Sequence, residues 1–397
     1  MENNSKWQER IPKILEMKKL WHSHTRIALE LWTDAKMIWT IMQRPEYKEA
    51  QSLQSNTFEK ELDGNNFPHN WDYWWLKWEN ASIFIRNPKE AENLLESVRE
   101  IIEWHDFRPI EYTAPTEDNK KAIKVTISDA HVGLNPNPDN NGLFTYEYNW
   151  ELFSQHMDSV YEKIQSYRYF YGVFDLLLLQ DLWDPLDWWN GETTRWWHKL
   201  DQNMTNEIAF KTYVRANINL IENIIRWGIA KKIIVRNVLN DNHSGDFARI
   251  AAFTISEVIT RLYWDIIEFQ SMNRFMQHYI YWDHCFVITH WKDEKHMMKW
   301  LPFTLNDKAI NFINQYLDHY GINSKHIHIE KWDLHRLGYE RNVRFDYRNY
   351  MSFAPWSAWV AHNFGDTYSG YSIDIIAKDS NETAHQDFFL DYKKVTL

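Results

Sequence analysis

Cysteine is almost absent. Cys285 is the only one in 397 residues, so no intramolecular disulfide can form and no cysteine-built zinc site is available. No run of eighteen or more apolar residues occurs, which excludes a membrane-spanning helix of the usual kind. The opening residues, MENNSKWQERIPKILEMKK, lack the apolar centre of a secretory signal. Positive charge does not dominate either. A net charge of −11 argues against a surface coated for nucleic acid. It leaves room for a local basic patch, or for a site whose positive charge comes from bound metal. Together these absences predict a cytoplasmic protein in a reducing compartment, with no membrane partner.

Glycine is also scarce. Average usage of roughly 7% would give about 28 in a chain of this length, but only 11 are present, beside 23 tryptophans. The shortfall of one is close to the excess of the other. Apolar content of 44% and charged content of 25% are otherwise ordinary for a globular protein. The length predicts one large domain and something smaller.

The patterning divides the chain into three regions. Residues 1–50 are helical, with apolar residues three and four apart in IPKILEMKKLW and HTRIALELWTDAKMIWTIMQRP, closed by Pro45. Residues 51–118 read as a connecting subdomain and linker, containing the helix KEAENLLESVREIIEWH and a polar, proline-bearing stretch. From 119 to 397, strand-like runs (KVTIS, FDLLLL, KKIIVRNVL, CFVIT, HIHIE) alternate with helices. One helix, TNEIAFKTYVRANINLIENIIRW, places Val214, Ile218, Ile221 and Ile225 on one face. Alternation of this kind predicts a layered α/β domain.

The residues just past each strand carry the chemistry. KVTIS runs into Asp129-Ala130-His131, and FDLLLLQDL into Trp183-Asp184-Pro185-Leu186-Asp187. IIVRNVL leads to Asn240-Asp241-Asn242-His243, FVIT to His290, and HIHIEK to Trp332-Asp333-Leu334-His335. Sites assemble at the carboxyl ends of strands in α/β sheets. Any one of these residues is more often a hydrogen-bonded structural group than a ligand, but five in order are harder to dismiss. Carboxylate, amide and imidazole donors suit Mn²⁺, Fe²⁺ or Zn²⁺.

The order DAH, WDPLD, NDNH, H, WDLH resembles the signature of the calcineurin-like metallophosphoesterases. The stretch DPLDWWNGETTRWWHKL further resembles phage-encoded members related to SbcD-type DNA-repair exonucleases. The resemblance implies a two-sheet β-sandwich flanked by helices and two divalent metal ions that activate a shared water. Manganese is the first expectation, with iron, zinc or magnesium as alternatives. Carried over residue by residue, it implies that Asp129, His131 and His335 hold one ion, with Asp184 bridging. Asn242, His290 and Asp333 hold the second. His243 is then the general acid or transition-state stabiliser, oriented by Asp187. The family usually has histidine where Asp333 stands, a departure that bears on metal preference. Arg195, His198 and Lys199 are candidates to grip a substrate phosphate, with a solvated loop as the plain alternative. Asp181 and Asp184 share the spacing of Asp184 and Asp187. The later pair is preferred because Trp183 then takes the glycine position, as Trp332 does in the last motif, leaving Asp181 structural at the strand end.

The same alignment places Trp183, Trp188, Trp196, Trp197, Trp291 and Trp332 at or beside positions where glycine is expected. Glycine suits such places because it accepts positive φ and lets backbone approach a ligand. Some genetic codes read UGA as tryptophan and others as glycine. A UGA-glycine gene translated under the wrong table would produce this pairing of excess and deficit.

Within residues 24–44, the segment HTRIALELWTDAKMIWTIMQR resembles a helix-turn-helix with Trp32 at the turn. Residues 1–50 hold nine Lys/Arg against seven Asp/Glu, slightly basic in an acidic chain. The sequence therefore predicts a phosphodiesterase or nuclease acting on DNA, phage-encoded in a bacterial host, as a homodimer or beside a partner ATPase. The alternatives are a phosphomonoesterase or protein phosphatase of the same superfamily, and a catalytically inactive DNA-binding or assembly protein.

Overall fold

The computed structural model describes Ile11 and residues 88–105, 107, 110, 112, 116, 119–136, 146–182, 184–187, 202–238, 243, 246–272, 274, 276–289, 301–331, 335–357, 368–378 and 383–392. Two units divide the chain, Met1–Pro88 and Lys89–Leu397. Apart from Ile11, the helix-turn-helix-like segment and the rest of the chain up to residue 87 lie outside the described residues. The elements described belong to the second unit, save Pro88 at the start of its first helix.

Two mixed sheets form a sandwich. The first holds β1 (Lys121–Ser128), β2 (Phe174–Leu182), β3 (Ala230–Val238), β4 (Ile267–Met272), β10 (Gly370–Ala377) and β11 (Thr383–Phe389) in the order β11-β10-β1-β2-β3-β4. Its β1 to β4 are parallel, and β10 and β11 extend it antiparallel. The second holds β5 (Met276–Tyr281), β6 (His284–Thr289), β7 (His326–Lys331), β8 (Gly338–Arg341) and β9 (Asp346–Asn349) in the order β5-β6-β7-β9-β8. The helices are α1 (Pro88–Trp104), α2 (Trp150–Tyr171), α3 (Asn206–Arg226), α4 (Asp246–Tyr263) and α5 (Asp307–His319). This is the layered α/β architecture expected from the strand–helix alternation, with the two sheets that the resemblance implies.

Local chemistry fixes the helix starts. Asn149, Thr205 and Asn306 each accept, through the side chain, a backbone N–H of the first turn of α2, α3 and α5. The predicted face of α3 (Val214, Ile218, Ile221, Ile225) is buried, with Ile123, Val125 and Ile127 of β1 in the same core. Ile101 of α1 belongs to that core as well. A second core joins α5, through Ile313 and Leu317, to Val287, Ile327, Ile329 and Tyr347. No helix among the described residues is long and apolar enough to cross a membrane.

Between the sheets the filling is part apolar, part ionic. Ala122, Leu176, Leu178, Ile234, Phe286 and Ile376 pack together. Beside them Lys124 of β1 pairs with Glu330 of β7 and, at 3.0 Å, with Asp374 of β10. Gln180 donates to Glu330 at 3.0 Å, and Lys124 to the Tyr350 hydroxyl at 3.1 Å. A lysine in the middle of a buried strand is tolerated because these carboxylates surround it.

One turn is at odds with its residue. Tyr281 pairs with His284, leaving Trp282 and Asp283 as a two-residue hairpin loop between β5 and β6. Trp282 has φ of +53°, in the left-handed region where two-residue hairpin turns favour glycine. The tryptophans singled out from the sequence (Trp32, Trp183, Trp188, Trp196, Trp197, Trp291, Trp332) lie outside the described residues.

Candidate metal centre

Asp129 comes directly after β1, Asp184 and Asp187 lie just past β2, and His335 lies beyond β7. The strands belong to different sheets, and the segment after β9 stitches their ends together. Tyr350 N donates to Lys331 O at 2.8 Å, Phe353 N to Ser128 O at 2.7 Å, and Ala354 N to Asp129 O at 3.1 Å. Ser352 Oγ adds a bond to the same Asp129 carbonyl at 2.9 Å. The loops after β1 and β2 are joined likewise. His131 N donates to Asp184 O at 2.8 Å, Val132 N to Pro185 O at 3.0 Å, and Asp187 N to Val132 O at 3.3 Å. Tyr148 holds the Ala130 carbonyl between the two β1-loop residues.

These bonds bring two sets of donor atoms within 4.8 Å of one another: Asp129, His131 and His335, and His131, Asp184 and His243. All are buried except His243, which is partly exposed. The His131 ring lies 4.5 Å from that of His243 and 5.1 Å from that of His335, centroid to centroid. The backbone is unusual here. Six non-glycine residues among those described have positive φ, and four are Asp129 (+50°), His131 (+41°), Asp184 (+44°) and His335 (+49°). A left-handed non-glycine residue costs on the order of 1–3 kcal/mol, and such residues persist where surrounding structure holds them, commonly at functional sites. Here the bonds to the Asp129, Ala130 and Asp184 carbonyls do the holding.

The donor set fits a divalent ion. Imidazole nitrogens and carboxylate oxygens are the borderline and hard ligands that manganese, iron and zinc accept. Among the described residues, His131 Nε2 and Asp184 Oδ2 are buried without a hydrogen-bond partner, a costly arrangement unless something else meets those atoms. Burial pushes His335 well below the ordinary histidine range, with His131 and His243 nearby acting in the same direction, so it presents a neutral ring.

His243 is different. Burial opposes its charge, but Asp184 and Asp187 outweigh that and push it up to about 10. Its Nδ1 donates to the Asp187 backbone carbonyl at 2.8 Å and lies 3.7 Å from the Asp187 carboxylate. The carboxylate itself is closer to His131, whose Nδ1 stands 3.1 Å from Oδ1. The expected side-chain contact between Asp187 and His243 is thus the longer of the two. That carboxyl is lowered in spite of its burial, because both histidines face it.

Of the expected ligands, Asp129, His131, Asp184 and His335 come together, with Asp187 and His243 beside them. Asn242, His290 and Asp333, and the phosphate-gripping candidates Arg195, His198 and Lys199, lie outside the described residues. Asp181 sits within β2, where it accepts a hydrogen bond from the Tyr213 hydroxyl and burial raises its carboxyl to about 7. The supporting residues Ser128, Tyr148 and Ser352 carry no signal in the sequence beyond their closeness to Asp129 or to a strand end. A cavity of about 400 Å³ lies elsewhere, between β1, β10 and β11 on one side and β7, β8 and β9 on the other.

The sequence matches no known protein-family description and no curated protein. Solved structures that align with it include Vps29 from Entamoeba histolytica, crystallised with Zn²⁺, at 10% identity over 67% of this chain and 98% of that one, TM-score 0.27. A protein from Streptococcus pneumoniae described as a predicted phosphoesterase aligns at 10% identity over 68% and 98%, TM-score 0.26. An archaeal phosphodiesterase aligns at 8% identity over 67% and 99%, TM-score 0.30. Overlaps this loose carry no argument of their own, so the chemistry of this chain rests on its own side chains.

Proposed function

We propose that the chain is a metal-dependent phosphoesterase of the calcineurin-like kind and, more finely, a phosphodiesterase or nuclease that acts on DNA. One observation carries the reading. Donor atoms of Asp129, His131, Asp184, His243 and His335 converge at strand ends, on backbone held in left-handed conformations at four of the five. Asp129, His131 and His335 would hold one ion and Asp184 would reach the second. Asn242, His290 and Asp333 complete that second position in the proposal. Bound divalent ions in such a site supply Lewis acidity toward a phosphoryl oxygen and lower the pKa of water.

The chain's own contribution is placement and a proton. With Nδ1 committed to the Asp187 carbonyl, His243 offers Nε2. Charged there, it can hand a proton to the departing oxygen of a phosphate ester. Arg195, His198 and Lys199 are proposed to take the substrate phosphate. DNA as substrate is supported by the helix-turn-helix-like stretch within residues 1–50.

The test is a substrate panel with Mn²⁺: single- and double-stranded DNA, bis(p-nitrophenyl) phosphate and p-nitrophenyl phosphate. Cleavage of DNA and of the diester is the expected result. Turnover of the monoester alone would reject the nuclease reading in favour of a phosphomonoesterase. Silence with every divalent metal would leave a binding or assembly protein.

A further inference from the structure

Two histidines point the same ring atom at one residue. His131 Nδ1 lies 3.1 Å from Asp187 Oδ1, and His243 Nδ1 lies 2.8 Å from Asp187 O. Each neutral ring carries a single N–H, and even a charged ring has only one proton on Nδ1. The His243 Nδ1 proton is directed at the backbone carbonyl, so none is left on that nitrogen for Oδ1, 3.7 Å away. The carboxylate is therefore available to His131. Both side chains of that pair are almost fully buried, 3% and 1% exposed, so no water competes for the bond. With Nδ1 as donor, the ligand nitrogen of His131 must be Nε2, the atom that is buried without a partner among the described residues.

From this geometry we infer that the Asp187 carboxylate is a positioning group for the metal ligand His131, while the hydrogen bond that holds the His243 ring goes to the Asp187 backbone carbonyl. The inference rests on the proposed metal site and deepens it. A carboxylate behind a ligating histidine fixes the tautomer and ring orientation and raises the basicity of the ligand nitrogen. The backbone of His131 is already fixed by its bond to Asp184 O; the ring is what remains to be oriented. Asp187 thus joins the ligand and the proton donor through two different atoms, only one of which a mutation can remove.

Asp187→Ala deletes the carboxylate and keeps the carbonyl. Mn²⁺ affinity measured by calorimetry on the full chain should fall by about 10–100-fold, as loss of a partner behind a ligand typically does. Asp187→Asn retains an acceptor oxygen for the His131 N–H and should recover most of the affinity. Wild-type Mn²⁺ affinity in Asp187→Ala, with turnover lost only for diesters with poor leaving groups, would overturn the inference and return the side chain to His243. Failure of Asp187→Asn to recover binding would also count against it. A wild-type chain that binds no divalent ion would instead reject the metal site itself. Should Asp187→Ala not fold, nitrogen–proton NMR of the zinc-loaded wild type decides. A proton on His131 Nδ1 agrees with the inference, and one on Nε2 overturns it.

Discussion

Two groups of buried and partly buried ionisable side chains lie in this unit, and they are built on opposite terms. Between the sheets, Lys124, Glu330, Asp374, Arg348, His385 and Asp387 answer one another. Lys124 meets Glu330 and Asp374, Arg348 meets Asp374 at 3.1 Å, and His385 reaches Asp374 at 2.7 Å and Asp387 at 2.9 Å. At the strand ends, Asp129, His131, Asp184 and His335 converge on strained backbone, and His131 Nε2 and Asp184 Oδ2 remain without a partner among the described residues. The first group is closed and the second is open. Cavity size misleads here, since the 400 Å³ cavity is lined by members of the closed group. Convergence of ligand-type atoms on left-handed backbone, not empty space, marks the proposed site.

Mutations should separate the two groups. The largest effect is expected for Asp184→Asn, which should take diester turnover below detection while leaving the chemical-denaturation midpoint close to wild type. Full activity in that variant would remove Asp184 from the site. Lys124→Met should do the reverse. It leaves Glu330 buried without its cation and takes one of the partners of Asp374, a loss of about 3–5 kcal/mol, with Mn²⁺ affinity unchanged in whatever remains folded. Equal effects of both variants on stability and metal binding would erase the distinction between closed and open groups.

A third variant sharpens the comparison through pH. Asp181 is buried and its carboxyl is raised to about 7, so the folded state binds its proton more tightly than the unfolded chain does. The resulting cost is absent below the ordinary carboxylate range, grows as pH rises, and is fully present above about 7. Asp181→Asn keeps an acceptor for the Tyr213 hydroxyl and removes that cost. It should stabilise the protein at pH 8 and leave its stability almost unchanged near pH 4. Equal urea midpoints for the two proteins at pH 8 would contradict this.

The smallest expected effect concerns Trp282. Trp282→Gly relieves a left-handed non-glycine residue in a hairpin turn and should raise stability by about 1 kcal/mol. The gene is the sharper readout. UGA codons at 282 and at 183, 196, 197 and 332 would establish the recoding, and UGG codons there would end it.

The layered fold was legible because long apolar runs such as FDLLLL are buried on both faces and have few alternatives. The Asp and His residues that end them stood out for the same reason. Six strands went unmarked, β4, β5, β8, β9, β10 and β11, and three of them, β5 (MQHYIY), β8 (GYER) and β11 (TAHQDFF), show one reason. They are edge strands, mostly half-exposed, whose polar residues dilute any alternation. Lys124 was hidden inside KVTIS, since nothing local shows that its partners arrive from β7 and β10. The choice of Asp187 between two histidines was equally out of reach, because it depends on how the loops after β1 and β2 zip together.

The most direct measurement is anomalous diffraction from a crystal of the chain grown with Mn²⁺. A manganese peak is predicted among Asp129, His131, Asp184 and His335. A protein that binds Mn²⁺ elsewhere, or shows no peak between those four side chains at saturating metal, would contradict the proposed metal centre.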